Sequence, residues 1–139
     1  MQWLIFAFIS AVAAGATAVL AKVGVRDIPA NLATAVRTLV ILVFALAIVS
    51  ARGELAGLRA VRGRTLTFLI LSGLATGISW LAYFRALQLA PASRVAPIDK
   101  LSLPISVVLA AVLLGETLSA RLIAGVILMV AGALLTLER

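Results

Sequence analysis

The sequence predicts an all-α integral membrane protein with five transmembrane helices. Of its 139 residues, 64% are hydrophobic, and the mean hydropathy is +1.23. A soluble domain is usually near half apolar, and a chain of this length could not hide so many apolar side chains in one core. The charged residues leave apolar runs that approach the roughly 20 residues a helix needs to cross the hydrocarbon core.

Composition also excludes several classes of function. The chain contains no Cys and no His, which removes disulfides, thiol chemistry and the commonest metal ligand. Its net charge is +7, but the basic residues separate apolar runs, so membrane topology explains them better than nucleic-acid binding. The sequence shows no metal-ligand cluster, phosphate-binding glycine loop or close carboxylate pair at membrane depth. We therefore expect no cofactor, no metal and no enzyme activity.

Three uncharged runs, at 1–21, 65–84 and 122–137, are long enough or nearly so to cross the membrane alone. The first lacks the basic N-terminal region of a cleavable signal peptide, so we expect it to be retained. Two further spans must contain charged residues. We predict a single domain over residues 1–139, with spans at about 3–22, 31–51, 65–89, 93–114 and 119–137.

The second and fourth spans are the ones that contain charges. The uncharged runs 38–51 and 101–115 are too short, and each becomes a full span only by extending toward its N-terminal side. The second span then includes Arg37, and the fourth includes Asp99 and Lys100. The alternative is four spans with residues 93–104 as a re-entrant loop. We disfavour it, because a lone helix over 101–115 would be about 22 Å long, short of a roughly 30 Å core.

Helix-end signals agree with these bounds. The candidate N-caps are Asn31, Ser93 and Ser119, and the candidate helix stops are Pro91 and Gly115. Glu116 precedes Ser119, where a helix dipole favours an anion, and it can also pair with Arg121. We interpret Glu116 as a structural residue at the end of a loop.

Four ionisable residues are predicted at similar depth below one membrane surface: Arg37, Arg85, Asp99 and Lys100. Long basic side chains near helix ends can extend to the interface, and this explanation is favoured for Arg85. The short carboxylate of Asp99 cannot do so, and an unpaired Asp in hydrocarbon costs about 2.5–3.5 kcal/mol on the insertion scale. Arg37 is the first choice of partner, since the adjacent Lys100 points about 100° away. A purely structural Asp99–Arg37 pair is an alternative to a functional one.

Two prolines bracket the Asp99–Lys100 step. Pro97 cannot donate to the carbonyl of Ser93, and Pro104 cannot donate to that of Lys100. A helix interrupted at membrane depth is tolerated where the break lines protein or water, and such helices often mark a transport site. A simple packing kink is the alternative. Small residues at helical spacing favour helix packing within the bundle, as at Gly73 and Gly77 in span 3 and at Gly125 and Gly132 in span 5. Alternatively, span 5 or span 1 also forms a dimer interface.

Three segments together resemble an EamA domain of the drug/metabolite transporter superfamily, most closely its short five-span bacterial and archaeal subgroup. They read NLATAVRTLV, SGLATGISWLAYFRALQLAPASRVAPIDKLS and LLGETLSARLIAGVILMVAGALL. The resemblance covers essentially the whole chain. The resemblance implies an integral protein of a prokaryotic inner membrane, built from one EamA half-repeat. Such a protein moves small molecules by alternating access. The related small multidrug resistance family uses a glutamate in span 1, but span 1 here has no acidic residue.

Typical members of the family carry two such domains, and this sequence has one. Because an odd number of spans places the two ends on opposite sides, two copies would have to pair as inverted repeats. The basic residues are nearly balanced: Arg52, Arg59, Arg62, Arg64 and Arg121 on one side, and Lys22, Arg26, Arg94 and Arg139, with Arg37, Arg85 and Lys100 deeper, on the other. This balance is compatible with an antiparallel homodimer and with insertion in both orientations.

These observations predict a secondary transporter, acting as a homodimer, with a charged site formed by spans 2–4. Asp99 is the candidate proton- or substrate-sensing group, and Arg37 and Lys100 are candidate contacts for a substrate anion. Trp80 and Tyr83 are candidate wall aromatics. The excess of positive charge indicates an anionic or zwitterionic metabolite. The alternative is a non-transporting membrane subunit or a small flippase component that acts with another chain.

Since the chain has no cysteine of its own, cysteines introduced one at a time can report the depth of residues 94–104. We expect water-soluble thiol reagents to label these positions at least about tenfold more slowly than positions 52–62, because the hydrocarbon core excludes charged reagents. Labelling of the whole segment at the rate of the 52–62 loop would contradict its placement in the membrane.

Overall fold

The computed structural model describes residues 1–137, and the regular elements in that range are all helical. They are α1 (Gln2–Gly24), α2 (Ala30–Ala51), a short 3₁₀ helix (Glu54–Ala60), α3 (Gly63–Leu89), α4 (Ala92–Asp99), α5 (Ser102–Leu114) and α6 (Ala120–Leu135). Arg139, counted above among the charges of one side, lies outside the described residues.

Four segments are long and apolar enough to cross a membrane: α1, α2, α3, and α4 with α5 taken together. The fifth, α6, is apolar but shorter, with 16 residues. Large apolar side chains along these helices are exposed, for example Phe8 at 76% and Leu128 at 72%. The protein is therefore an all-α, five-helix membrane protein, as the sequence predicts, because lipid rather than a protein core takes up most of its apolar surface.

The described chain divides into two compact units. One comprises Val19–Leu89, which holds the end of α1, α2, the 3₁₀ helix and α3. The other comprises Met1–Ala18 together with the chain from Ala90 onward, which holds most of α1 and helices α4 to α6. The single domain over residues 1–139 stays a prediction.

Within the 19–89 unit, α2 packs against α3. The buried residues of α2 are Ala30, Ala33 and Thr34, which share one face of the helix at three- and four-residue spacing. The buried residues of α3 are Phe84 and Leu87. Alanines on one helix let a second helix approach closely, and the large side chains of the other fill the space, which is how helices associate where lipid provides no hydrophobic driving force.

Gln88 ties the turn between α1 and α2 to the end of α3. Its side-chain amide donates to the carbonyls of Val25 (3.2 Å) and Ile28 (2.8 Å), and the ammonium of Lys22 donates to the carbonyl of Leu87. Val25 itself is buried, at 2% exposure. These contacts satisfy carbonyls that the helix ends leave without helical partners. They also confirm, within this unit, that the ends of spans 1 and 3 lie at the same side.

Two predicted N-caps are wrong. Helix α2 begins at Ala30 with Pro29 in the cap position, and α4 begins at Ala92 with Pro91 in the cap position. Neither Asn31 nor Ser93 caps a helix, because each already lies within the first turn. Both prolines have extended backbone, with ψ near 140°, and a residue in that conformation leads directly into a helix.

The fourth span is broken between α4 and α5. Around Lys100 the backbone bonds shorten to three-residue spacing: Leu101 N–H donates to Ile98 (3.0 Å), and Leu103 N–H donates to Lys100 (3.0 Å). Pro104 has no N–H to offer the Lys100 carbonyl, so Leu103 takes that place. The predicted interruption between the two prolines is confirmed, and it takes the form of a tight 3₁₀-like turn.

The loop between α5 and α6 follows the predicted end signals. Gly115 has a positive φ of 70° and ends α5, and the N–H of Glu116 donates to the carbonyl of Ala110 (3.3 Å). Ser119 caps α6, since its hydroxyl accepts from the N–H of Leu122 (3.2 Å). Only glycine adopts such a φ without strain, so this stop could be read from the sequence.

We expect Gln88→Leu to destabilise the protein by about 1 kcal/mol, because it removes two hydrogen bonds from the α1–α2 turn while keeping the side chain's size. The measurement is the denaturant midpoint of the detergent-solubilised protein, followed by circular dichroism. Gln2→Leu at the exposed start of α1 is the matched control and should leave the midpoint unchanged. Equal midpoints for both variants would contradict a stabilising role for Gln88.

Candidate functional site

The best-defined charged group inside a membrane-length helix is Arg37. It lies seven residues into α2, on the face that also carries the buried residues Ala30, Ala33 and Thr34, and it is half-buried. Its guanidinium carbon lies 4.2 Å from the centre of the Trp80 ring and 5.4 Å from that of Phe84. Both aromatic residues belong to α3, so the α2–α3 contact places a cation beside two aromatic rings.

This arrangement stabilises a cation that hydrocarbon would otherwise disfavour. An aromatic face within about 6 Å attracts a guanidinium, by about 2 kcal/mol or more when water is excluded. A guanidinium also carries five N–H donors in one plane, a geometry suited to a bidentate contact with a carboxylate or phosphate. Arg37 therefore offers an anion-binding group beside two aromatic rings.

The other predicted residues of span 3, Tyr83 and Arg85, follow Trp80 along α3. Tyr83 neighbours Phe84, with ring centres 6.3 Å apart. The guanidinium of Arg85 donates to the side-chain carbonyl of Gln88 (3.1 Å), one turn further along α3. Trp80 thus contacts Arg37, whereas Arg85 contacts Gln88 at the end of α3.

Asp99 and Lys100 lie at the break in the fourth span and contact each other. The Lys100 ammonium is 3.4 Å from the Asp99 carboxylate, and the side chains are 52% and 34% exposed, respectively. Sequence spacing made Lys100 the poorer partner for Asp99, but the 3₁₀-like turn brings adjacent side chains within reach. Arg37 and Asp99 belong to different units, so their pairing stays a prediction.

The prolines bracket this pair as expected. Pro97 lies inside α4, and Pro104 lies in the first turn of α5, where a missing N–H is tolerated. Glu116 lies in the exposed loop before α6, away from the helix break in sequence. Its structural role stays a prediction.

Three residues of this region, Phe84, Leu87 and Gln88, are not among those predicted from the sequence. The signal was present, since Phe84 and Gln88 follow Trp80 at four and eight residues and so share its helix face. What periodicity does not give is which face of α3 meets α2.

Comparison with known proteins shows the family of the chain. The EamA-like transporter family matches residues 1–138 of the chain. The chain belongs to the EamA-like transporter family. It is also similar to a Sinorhizobium protein described as "Uncharacterized transporter in cobO 3'region", with 51% identity over 134 residues that cover 96% of this chain and 95% of the relative. No solved structure matches the chain.

The family confirms the resemblance noted in the sequence and, with the apolar helices and the bacterial relative, establishes an integral inner-membrane protein of a transporter family. The similarity to the relative extends over nearly all of both sequences. The family description and the relative's name are those of transporters, which speaks for a protein that is not an enzyme.

We expect a double-mutant cycle between Arg37→Gln and Trp80→Leu to give a coupling free energy of about 1 kcal/mol, measured from unfolding midpoints in detergent. The reason is that the ring stabilises the cation only while both are present. The matched control is Arg64 with Phe68, a second guanidinium–ring pair at 5.5 Å, whose residues are both exposed. We expect that cycle to give less than about 0.5 kcal/mol. Equal coupling in the two cycles would contradict a special role for the Arg37 site.

Proposed function

We propose that this EamA-family protein is a secondary transporter that moves small metabolites by alternating access as a homodimer, with a charged site formed by spans 2–4. The observation that supports the proposal most is Arg37, a half-buried cation in the interior of a membrane-length helix, which lies near the rings of Trp80 and Phe84. Ionisable residues inside membrane spans are rare, and they commonly mark a substrate or ion pathway.

The substrate class follows from charge. Arg37 and Lys100 offer donors suited to a carboxylate or phosphate, while Asp99 is the one acidic residue within the spans. The site therefore suits an anionic or zwitterionic metabolite rather than a lipophilic cation. The rings of Trp80 and Tyr83 provide apolar wall beside the guanidinium.

Asp99 is the proposed proton- or substrate-sensing group. Its carboxylate contacts Lys100 at 3.4 Å in a turn where the helix changes to three-residue hydrogen bonds. Such short stretches often mark a hinge. A change in the charge of Asp99 would loosen its contact with Lys100 at the point where the helix is weakest.

The homodimer is supported by small residues that leave room for a neighbouring helix. Apart from the backbone of its own helix and its chain neighbours, a Cβ added at Gly73 or Gly77 would meet no atom within 4 Å. Glycines at this spacing let a neighbouring helix approach closely. A second copy, inserted in the opposite orientation, would complete the inverted-repeat arrangement on which alternating access depends.

Transport is tested with purified protein in liposomes loaded with a panel of labelled carboxylates, phosphate esters and amino acids. We expect Arg37→Ala and Asp99→Asn each to lower flux of the transported compound by at least about tenfold, because each removes a charge that the substrate or a proton must meet. Arg59→Ala, an exposed charge in the loop after α2, is the control and should retain wild-type flux. Wild-type flux in both site variants would remove this site from consideration.

Cross-linking in native membranes separates a carrier from a subunit of another complex. Single cysteines along the Gly73–Gly77 face should form covalent homodimers if two copies make one carrier. A consistent cross-link to a different chain would favour the alternative, a non-transporting subunit or a flippase component.

A further inference from the structure

The 19–89 unit contains a second cationic site, distinct from Arg37. A cavity of about 330 Å³ opens where α1 ends and α3 ends. Its lining includes three basic side chains, Lys22, Arg26 and Arg85, together with Gln88 and apolar side chains such as Leu87. We propose that this cavity binds an oxyanion of the phosphate type, at the level where the helices leave the hydrocarbon.

The lining offers donors suited to such an anion. Arg26 and Arg85 supply two guanidinium groups, which match the oxygens of a phosphate, while Lys22 donates to the carbonyl of Leu87 at the end of α3.

Hydrogen bonds also fix several side chains that line the cavity. The Lys22 ammonium donates to the carbonyl of Leu87, which fixes it at the wall. Gln88 donates to Val25 and Ile28 and accepts from Arg85 at 3.1 Å. These bonds occupy backbone carbonyls that would otherwise repel an anion, and they fix the Arg85 guanidinium in place. Preorganised donors of this kind bind an anion without first having to be ordered.

The position of the cavity makes a lipid headgroup one source of such an anion. Helix α1 ends at Gly24 and α3 at Leu89, which places the cations at the membrane–water boundary, where lipid phosphates lie. Basic pockets at such boundaries bind lipid headgroups. A free phosphate in the aqueous phase has the same oxygens, and the shared chemistry is the oxyanion.

The test is ligand-dependent thermal stabilisation of the purified, detergent-solubilised protein. The probes are phosphatidylglycerol with phosphatidylcholine as the zwitterionic comparison, and inorganic phosphate with chloride as the comparison. We expect phosphatidylglycerol to stabilise the wild type more than phosphatidylcholine does. Arg26→Gln and Arg85→Gln together should weaken the apparent affinity by at least about tenfold, since each loses a charge-assisted bond to the oxyanion. Arg26→Lys with Arg85→Lys should retain most of it.

Arg59→Gln with Arg62→Gln is the matched control, because it removes the same charge from the exposed loop after α2. It should bind as the wild type does. Helicity and gel-filtration profile are checked for every variant, and the single variants are measured separately in case the double variant does not fold. Transport is not a readout, so a failure here leaves the proposed carrier activity untouched, and the reverse also holds.

The probes distinguish the sources. Stabilisation by phosphatidylglycerol alone assigns the site to a lipid headgroup, while competition by inorganic phosphate assigns it to a free oxyanion as well. Three results would each overturn the proposal. They are no stabilisation by either phosphatidylglycerol or inorganic phosphate, wild-type affinity after Arg26→Gln with Arg85→Gln, and an equal loss of affinity in the loop control.

Discussion

The charge of Arg37 is the constraint around which the α2–α3 pair is built. A guanidinium inside an apolar helix is disfavoured by kilocalories per mole unless protein replaces the water it has lost. In this chain the replacement is aromatic: Trp80 and Phe84 present their faces at 4.2 and 5.4 Å. That contact requires α2 and α3 to approach closely, which the buried alanines of α2 allow. The contact between Arg37 and the two rings therefore joins the two helices, stabilises the charge and forms the candidate site.

In the broken fourth span, backbone groups likewise need protein partners in place of water. A membrane helix must satisfy its own carbonyls, and a proline removes one donor from that ladder. In the α4–α5 segment the N–H of Leu103 supplies the bond that Pro104 cannot. The carbonyl thereby keeps a partner, at the tighter three-residue spacing. Asp99, the only acidic residue within the spans, lies at this break.

The two ends of the 19–89 unit differ in chemistry. At one end, Lys22, Arg26 and Arg85 line a cavity together with Gln88, and hydrogen bonds hold the donors in place. At the other, Arg52 pairs with Glu54 at 3.5 Å, and both side chains are largely exposed. Surface pairs of the second kind contribute little to stability. The first end is a preorganised cationic cavity, whereas the second is a solvated loop whose charges bear on membrane orientation.

The sequence alone determined the class of the protein, its helices and several of their ends. Length and hydropathy require five helices in lipid, and Gly115 and Ser119 end and start helices by local backbone chemistry that needs no tertiary partner. The interruption near Lys100 was predictable for the same local reason. Asn31 and Ser93 failed as caps because the prolines before them start the helices earlier. Tertiary structure decided that Arg37 meets Trp80 and Phe84, and that Gln88 holds the α1–α2 turn. Periodicity defines the faces of each helix, but only packing fixes which face of one helix turns toward another.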